Sequence, residues 1–245
     1  MRGCVVSHAV SLPCRNTRTG GQGCSDMRIA IIGAHGKVAR LLTPLLHESG
    51  HQVTAVVRNP DHVADVEADG AEGLVLDIES ADVDAIAGLL DGHDAVVWSA
   101  GAGGGNPQRT YAVDRDAAIR SIEAARRSGV RRYVMVSYFG AGPDHGVAED
   151  DAFFAYADAK TTADAVLARS DLDWTILRPS RLTPDAATGR IETSLGGATK
   201  GAVSRADVAW VVAETLDRPG LAGATVEFNN GEVPIDDALA AYEHH

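Results

Sequence analysis

Apolar residues follow two alternating rhythms along this chain. Seven short runs are aliphatic or β-branched in the middle and polar mainly at their ends: RIAIIG from Arg28, HQVTAVVR from His51, AEGLVLD from Ala71, HDAVVWSAG from His93, VRRYVMVSYFGA from Val130, DWTILRPS from Asp173 and ATVEFNNG from Ala224. Such runs predict strands buried on both faces, as in a parallel sheet. Between them lie stretches with helical spacing. KVARLLTPLLHESG stops at Gly50, and RTYAVDRDAAIRSIEAARRSG stops at Gly129. DDAFFAYADAKTTADAVLARSD precedes the sixth strand. SRADVAWVVAETLDRP has Ser204 as N-cap and Pro219 past its end, and PIDDALAAYEHH starts on proline. These are helix boundary signals. The segment RLTPDAATGRIETSLGGATKGAVS breaks the rhythm with Gly, Pro and Thr and only two short β-like pieces.

Strand–helix alternation predicts right-handed crossovers and an α/β, doubly wound parallel sheet. Ligands of such sheets sit beyond the carboxyl ends of the strands. The positions to watch are therefore Gly33–Lys37, Arg58, Asp77, Ser99–Gly103, Ser137–Tyr138 and Pro179–Leu182.

Length and charge narrow the picture. The 245 residues suffice for one domain with a sizeable core. A net charge of −12 argues against wrapping nucleic acid, while leaving local phosphate binding open. No apolar run approaches the roughly 20 residues of a membrane span. All three cysteines, Cys4, Cys14 and Cys24, fall in residues 1–26, which lack sustained periodicity. That stretch reads as a disordered extension, with residues 27–245 as the folded domain. The absence of cysteine after Met27 fits a cytoplasmic protein. The histidines are scattered without metal-ligand spacing, so no metal is expected.

The first strand runs into a glycine turn that opens a helix. Gly33 allows the tight turn, Gly36 lets a pyrophosphate approach the backbone, and Ala39 lets the helix lie close on the sheet. His35, Lys37 and Val38 complete the turn. An acid at the end of the second strand would bind ribose hydroxyls, but Arg58 stands there in VVRNP. Arginine pairs with a 2′-phosphate, which favours NADP(H) over NAD(H). Asp77, followed by Ile78, either accepts from an adenine amino group or caps the next helix. The small residues Ser99, Ala100 and Gly101 allow a dinucleotide to pass close to the backbone.

With these residues in place, the chain resembles an atypical short-chain dehydrogenase/reductase of the NmrA-like and biliverdin-reductase-B-like group. IIGAHGKVAR, VVRNP, LDIES, VVWSAGAG, YVMVSYFGA, YADAKTTADAVLARSDLDWTILRPSRLT, SRADVA and PIDDAL carry the resemblance. It implies a Rossmann-like sheet of about seven strands with the nucleotide on the N-terminal half. It implies that backbone around Pro179, Arg181 and Leu182 lies against the nicotinamide. It implies a small substrate lid around 179–203. The family's chemistry uses Tyr and Lys four apart on one helix face, here Tyr156 and Lys160. The lysine would lower the tyrosine's pKa and hold the nicotinamide ribose, and Ser137 would polarise a substrate carbonyl. Tyr156 is equally readable as part of an apolar face with Phe153, Phe154 and Ala157. Tyr138 stands where relatives often carry a second serine, and with Phe139 it would line the substrate pocket. The expected function is NADPH-dependent reduction of a small carbonyl, quinone or flavin-like acceptor. The alternatives are a cofactor-binding redox sensor and, against the short lid, a nucleotide-sugar epimerase or dehydratase.

Overall fold

The computed structural model describes residues 26–103 and 105–243. The expectation for residues 1–26 falls, Asp26 aside, outside the described residues, as do Gly104 and the last two histidines.

The elements in chain order are β1 (Arg28–Ile32), α1 (Ala39–Glu48), β2 (Gln52–Val57), α2 (Val63–Ala68), β3 (Glu72–Val75), α3 (Val83–Leu90), β4 (Ala95–Trp98), α4 (Pro107–Thr110), a π-helical stretch (Tyr111–Ala117), α5 (Ala118–Ser128), β5 (Arg132–Val136), α6 (Phe154–Ala168), β6 (Asp173–Pro179), β7 (Arg181–Thr183), β8 (Arg190–Thr193), β9 (Ala202–Ser204), α7 (Arg205–Leu216), β10 (Ala224–Asn230), β11 (Val233–Pro234) and α8 (Ile235–Ala240). The main sheet has nine strands in the order β11-β8-β10-β6-β5-β4-β1-β2-β3. Its run from β10 to β3 is parallel throughout. These are the seven runs read from the sequence. The two extra strands, β8 and β11, are short, antiparallel and at one edge. Their register is a matter of long-range pairing that a short polar run does not announce.

Both sheet faces are buried, which explains the continuous apolar runs. Within β1, Ile29 and Ile31 join one core with Leu42, Leu46, Val208 and Val212. Ala30 and Ile32 join the other with Ile86, Leu90, Ile122 and Leu167. The side-chain period of two thus feeds two layers.

β1 pairs with both β2 and β4. Strand order reverses there, which opens a crevice at the carboxyl ends of β1 and β4. The segment after β6 forms the second, two-stranded sheet of β7 and β9. It is pinned by Asp207, which is fully buried. The Asp207 carboxylate accepts from the N–H groups of Thr188 and Gly189 at 2.9 and 2.8 Å, from Ser204 Oγ at 2.8 Å and from Asn230 Nδ2. Removing it leaves the buried Ser204 hydroxyl and three less buried donors without their acceptor at once. Asp207→Ala is expected to lower unfolding free energy by about 3 kcal/mol or more, read from urea denaturation. An unchanged denaturation midpoint would contradict this anchoring role.

Candidate functional site

The crevice holds two contiguous lobes of about 270 and 560 Å³. They share Gly36, Ser99, Ala100 and Gly101. Gly33 fixes their junction. Its φ is +86°, and a Cβ there would lie 2.5 Å from Ala100 Cα. Only glycine lets the turn after β1 press against the loop after β4.

The first lobe contains Gly33, His35, Arg58, Asp77 and Ile78 among its walls. Arg58 is exposed, and its Nη1 lies 3.3 Å from Glu79 Oε2. The same carboxylate oxygen accepts from Arg109 Nε at 3.1 Å. Asp77 Oδ1 accepts from the Glu79 N–H at 3.1 Å, so here it caps the turn that precedes α3. His35 is stacked on His62 at 3.6 Å, and its Nε2 is 2.8 Å from Asp65. Its ring is thus engaged sideways by protein groups.

The second lobe gathers Lys37, Val38, Ser137, Tyr138, Phe139, Tyr156, Lys160, Pro179, Arg181 and Leu182. Strand β5 ends at Val136, so Ser137–Phe139 lie just past it, where a carboxyl-end site requires them. Phe139 N–H donates to Pro179 O at 2.9 Å and ties this loop to the end of β6. The rings of Tyr138, Phe153 and Tyr156 touch one another at centroid distances of 5.3, 5.6 and 5.2 Å.

Lys160 is buried, and its Nζ donates to Val136 O at 2.7 Å. Two buried carboxylates act on it, Asp114 and Asp164. Ser137 Oγ donates to Asp164 Oδ2 at 2.8 Å, and Arg178 Nε donates to the same oxygen at 3.1 Å. Asp114 Oδ2 accepts from the Ala102 N–H at 2.9 Å, while its Oδ1 is buried without a hydrogen-bond partner among the described residues. Burial raises the pKa of both acids, and the Lys160 charge opposes the rise.

These acids correct the expected tyrosine chemistry. Burial pushes the Tyr156 phenol well above its ordinary range, and the charges of Asp114 and Asp164 push it further. The Lys160 ammonium donates to Val136 O and is not among the groups that act on Tyr156, so it does not depress the phenol as the Tyr–Lys spacing predicted. The phenol stays protonated at neutral pH.

Sequence reasoning missed Asp114, Asp164, Glu79 and Arg109. Asp114 carried one signal: it interrupts the buried stripe Thr110, Val113, Ala117, Ala118 on the predicted helix. It also lies in the π-helical stretch, a distortion found often at functional sites. Among the described residues no group of three His, Cys, Asp or Glu is arranged to hold a metal ion. No helix among them is long and apolar enough to cross a membrane.

Comparison with known proteins agrees with this geometry. Residues 33–219 match a family model described as NAD(P)H-binding. The chain is 34% identical over 215 residues to an uncharacterized sugar epimerase, YhfK, of Bacillus subtilis, covering 87% of this chain and 99% of that protein. It is similar to the solved structure of a putative NAD-dependent epimerase/dehydratase from Bacillus halodurans, with TM-score 0.80 and 34% identity over 88% of this chain and 99% of that one. It is also similar to ChuY, an anaerobillin reductase from Escherichia coli O157:H7, with TM-score 0.70 and 25% identity over 84% and 98% of the two chains. The glycine turn, the crevice at the strand-order reversal and these matches make the chain a member of the NAD(P)H-binding family, among the atypical short-chain dehydrogenases/reductases.

Proposed function

We propose that this protein is an NADPH-dependent reductase of a small conjugated carbonyl, quinone or flavin-like acceptor. The observation that carries the reading is the pairing of lobes. A narrow lobe with Arg58 opens at the glycine turn into a wider one with an aromatic wall and a protonated phenol. The similarity to a reductase supports it.

When bound, the reduced nicotinamide supplies the hydride. The N–H groups of the turn after β1 and the Lys37 ammonium hold the pyrophosphate. Arg58 takes the 2′-phosphate, which displaces Glu79 from it. Backbone from Pro179 to Leu182 walls the nicotinamide side, and Lys160 holds the ribose. Tyr156 keeps its proton and donates it toward the acceptor oxygen. Ser137 polarises that oxygen once its proton swings away from Asp164, which Arg178 continues to satisfy.

Two measurements test this. NADPH mixed with protein and a panel of quinones, flavins and aldehydes should lose its reduced-nicotinamide absorbance. Tyr156→Phe should lower kcat about 100-fold with NADPH affinity unchanged. No oxidation with any acceptor, or an indifferent Tyr156→Phe, sinks the reading. Arg58→Asp should weaken NADPH by about 10- to 100-fold and NADH by less than about threefold. Equal losses would remove Arg58 from the 2′-phosphate.

The names of two relatives favour a second reading, epimerisation, and one of them names a sugar. An epimerase returns its cofactor to the starting state, so it would interconvert a sugar without consuming added NADPH.

A further inference from the structure

Lys37, Arg181, Lys200 and Arg205 all line the wider lobe. None of these four side chains makes an ion pair or hydrogen bond with a described residue. Many arginines elsewhere are matched to acids, among them Arg40 to Asp69, Arg109 to Glu79, Arg178 to Asp164 and Arg218 to Glu243, and Arg120, Arg132 and Arg190 are held by backbone carbonyls. A chain of net charge −12 has acids to spare, yet none is supplied here. The acid that does line this lobe, Asp114, is turned to the Ala102 N–H and acts on Lys160.

Lys37 sits in the glycine turn and faces the cofactor's side. The other three come from the segment opposite. Arg181 begins β7, Lys200 precedes β9, and Arg205 begins α7. The last runs against local preference, because a helix N-terminus favours acids. The Lys200 ammonium lies 5.7 Å from the Tyr138 ring centroid and 5.6 Å from that of Phe153. The far side of the lobe is therefore an aromatic wall under a cationic rim. Gathered like charges repel one another, and a bound anion removes that cost.

We infer that the substrate is an anion, with a planar apolar body against Tyr138 and Phe153 and a carboxylate or phosphate held by Lys200, Arg181 and Arg205. The inference rests on the reading of this lobe as the acceptor site, but it is tested by binding, without turnover. Protein loaded with NADP+ is titrated by calorimetry with two matched pairs. One pair is FMN and riboflavin. The other is anthraquinone-2-carboxylate and its methyl ester. In at least one pair the anion should bind about tenfold or more tightly than its neutral twin, and the responding pair tells phosphate from carboxylate. The double variant Lys200→Gln, Arg205→Gln should cut that advantage below about threefold and leave NADPH affinity within about twofold. Equal binding within both pairs overturns the inference, as does an advantage that survives the variant. A parallel loss of NADPH affinity overturns it too, by giving these cations to the cofactor. Tight anion binding that leaves NADPH unoxidised would instead count against the reductase reading alone.

Discussion

Gly33→Ala should cost about 2–5 kcal/mol of unfolding free energy and weaken NADPH binding about 100-fold. Two costs combine. The backbone at φ +86° lies in the left-handed region, which penalises any Cβ by about 1–2 kcal/mol. The added carbon would also stand 2.5 Å from Ala100 Cα and 2.6 Å from Ala100 N. These are backbone atoms that a rotamer change cannot move, so the turn after β1 and the loop after β4 must part, at about 1–3 kcal/mol for overpacking. That parting widens the crevice where both lobes meet. Gly140→Ala makes the control. Its φ is +89°, but nothing lies within 4 Å of the new Cβ. It should pay the conformational cost alone and bind NADPH normally. Urea denaturation and fluorescence titration of NADPH read both variants. Equal behaviour of the two would show that the close approach at Ala100 is irrelevant.

Lys160→Met should cost about 3–5 kcal/mol, the usual result of deleting one member of a buried charge cluster. Asp114 would stay buried without the cation that most opposes its raised pKa, and Asp164 would keep Arg178 alone. The sign of the pH effect follows. A carboxyl whose folded pKa is raised binds more protons folded than unfolded, so its contribution to stability is full below the ordinary Asp value. It is lost as pH rises through the folded pKa. Removing Lys160 raises both folded values further. The stability gap between wild type and variant should therefore widen from about pH 5 to neutral, where wild type keeps its lysine while the variant must hold Asp114 without its main cation and Asp164 with Arg178 alone. Denaturation at the two pH values checks this. A gap that narrows toward neutral pH would mean that Lys160 does not offset these acids.

Much of the architecture was legible in residue order. The seven apolar runs became the seven parallel strands, since a strand buried on both faces needs aliphatic residues at every position. Ile29 to Ile32 show why, with alternate residues entering separate cores. Gly50 and Gly129 ended helices at positive φ, where lack of a Cβ is decisive. Ser204 capped α7 by accepting from the Asp207 N–H at 2.9 Å. The edge strands β8 and β11 were not legible in this way. The segment that holds β8 showed only short β-like pieces, and β8 gains its place by pairing with β10 and β11 by pairing with β8.

The site divides along the same line. What the sequence determined by itself was the backbone of a cofactor crevice: a glycine turn after β1, small residues after β4 and Arg58 after β2. These follow from local rules, because turn geometry, helix starts and strand ends are written in adjacent residues. Only the tertiary structure decided the electrostatics. Lys160 and Tyr156 have the spacing of a proton-transfer pair, yet Asp114 comes from the π-helical stretch and Asp164 from one turn further along α6. Burial first, and then the charges of these two acids, push the phenol up. Likewise nothing in the adjacent sequence marks Lys200 and Arg205, which the chain brings to the lobe that Tyr138 and Phe153 line. The physical reason is range. Backbone conformation is set by neighbours in sequence, whereas a charge responds to every group within several ångströms, from whichever element brings it there.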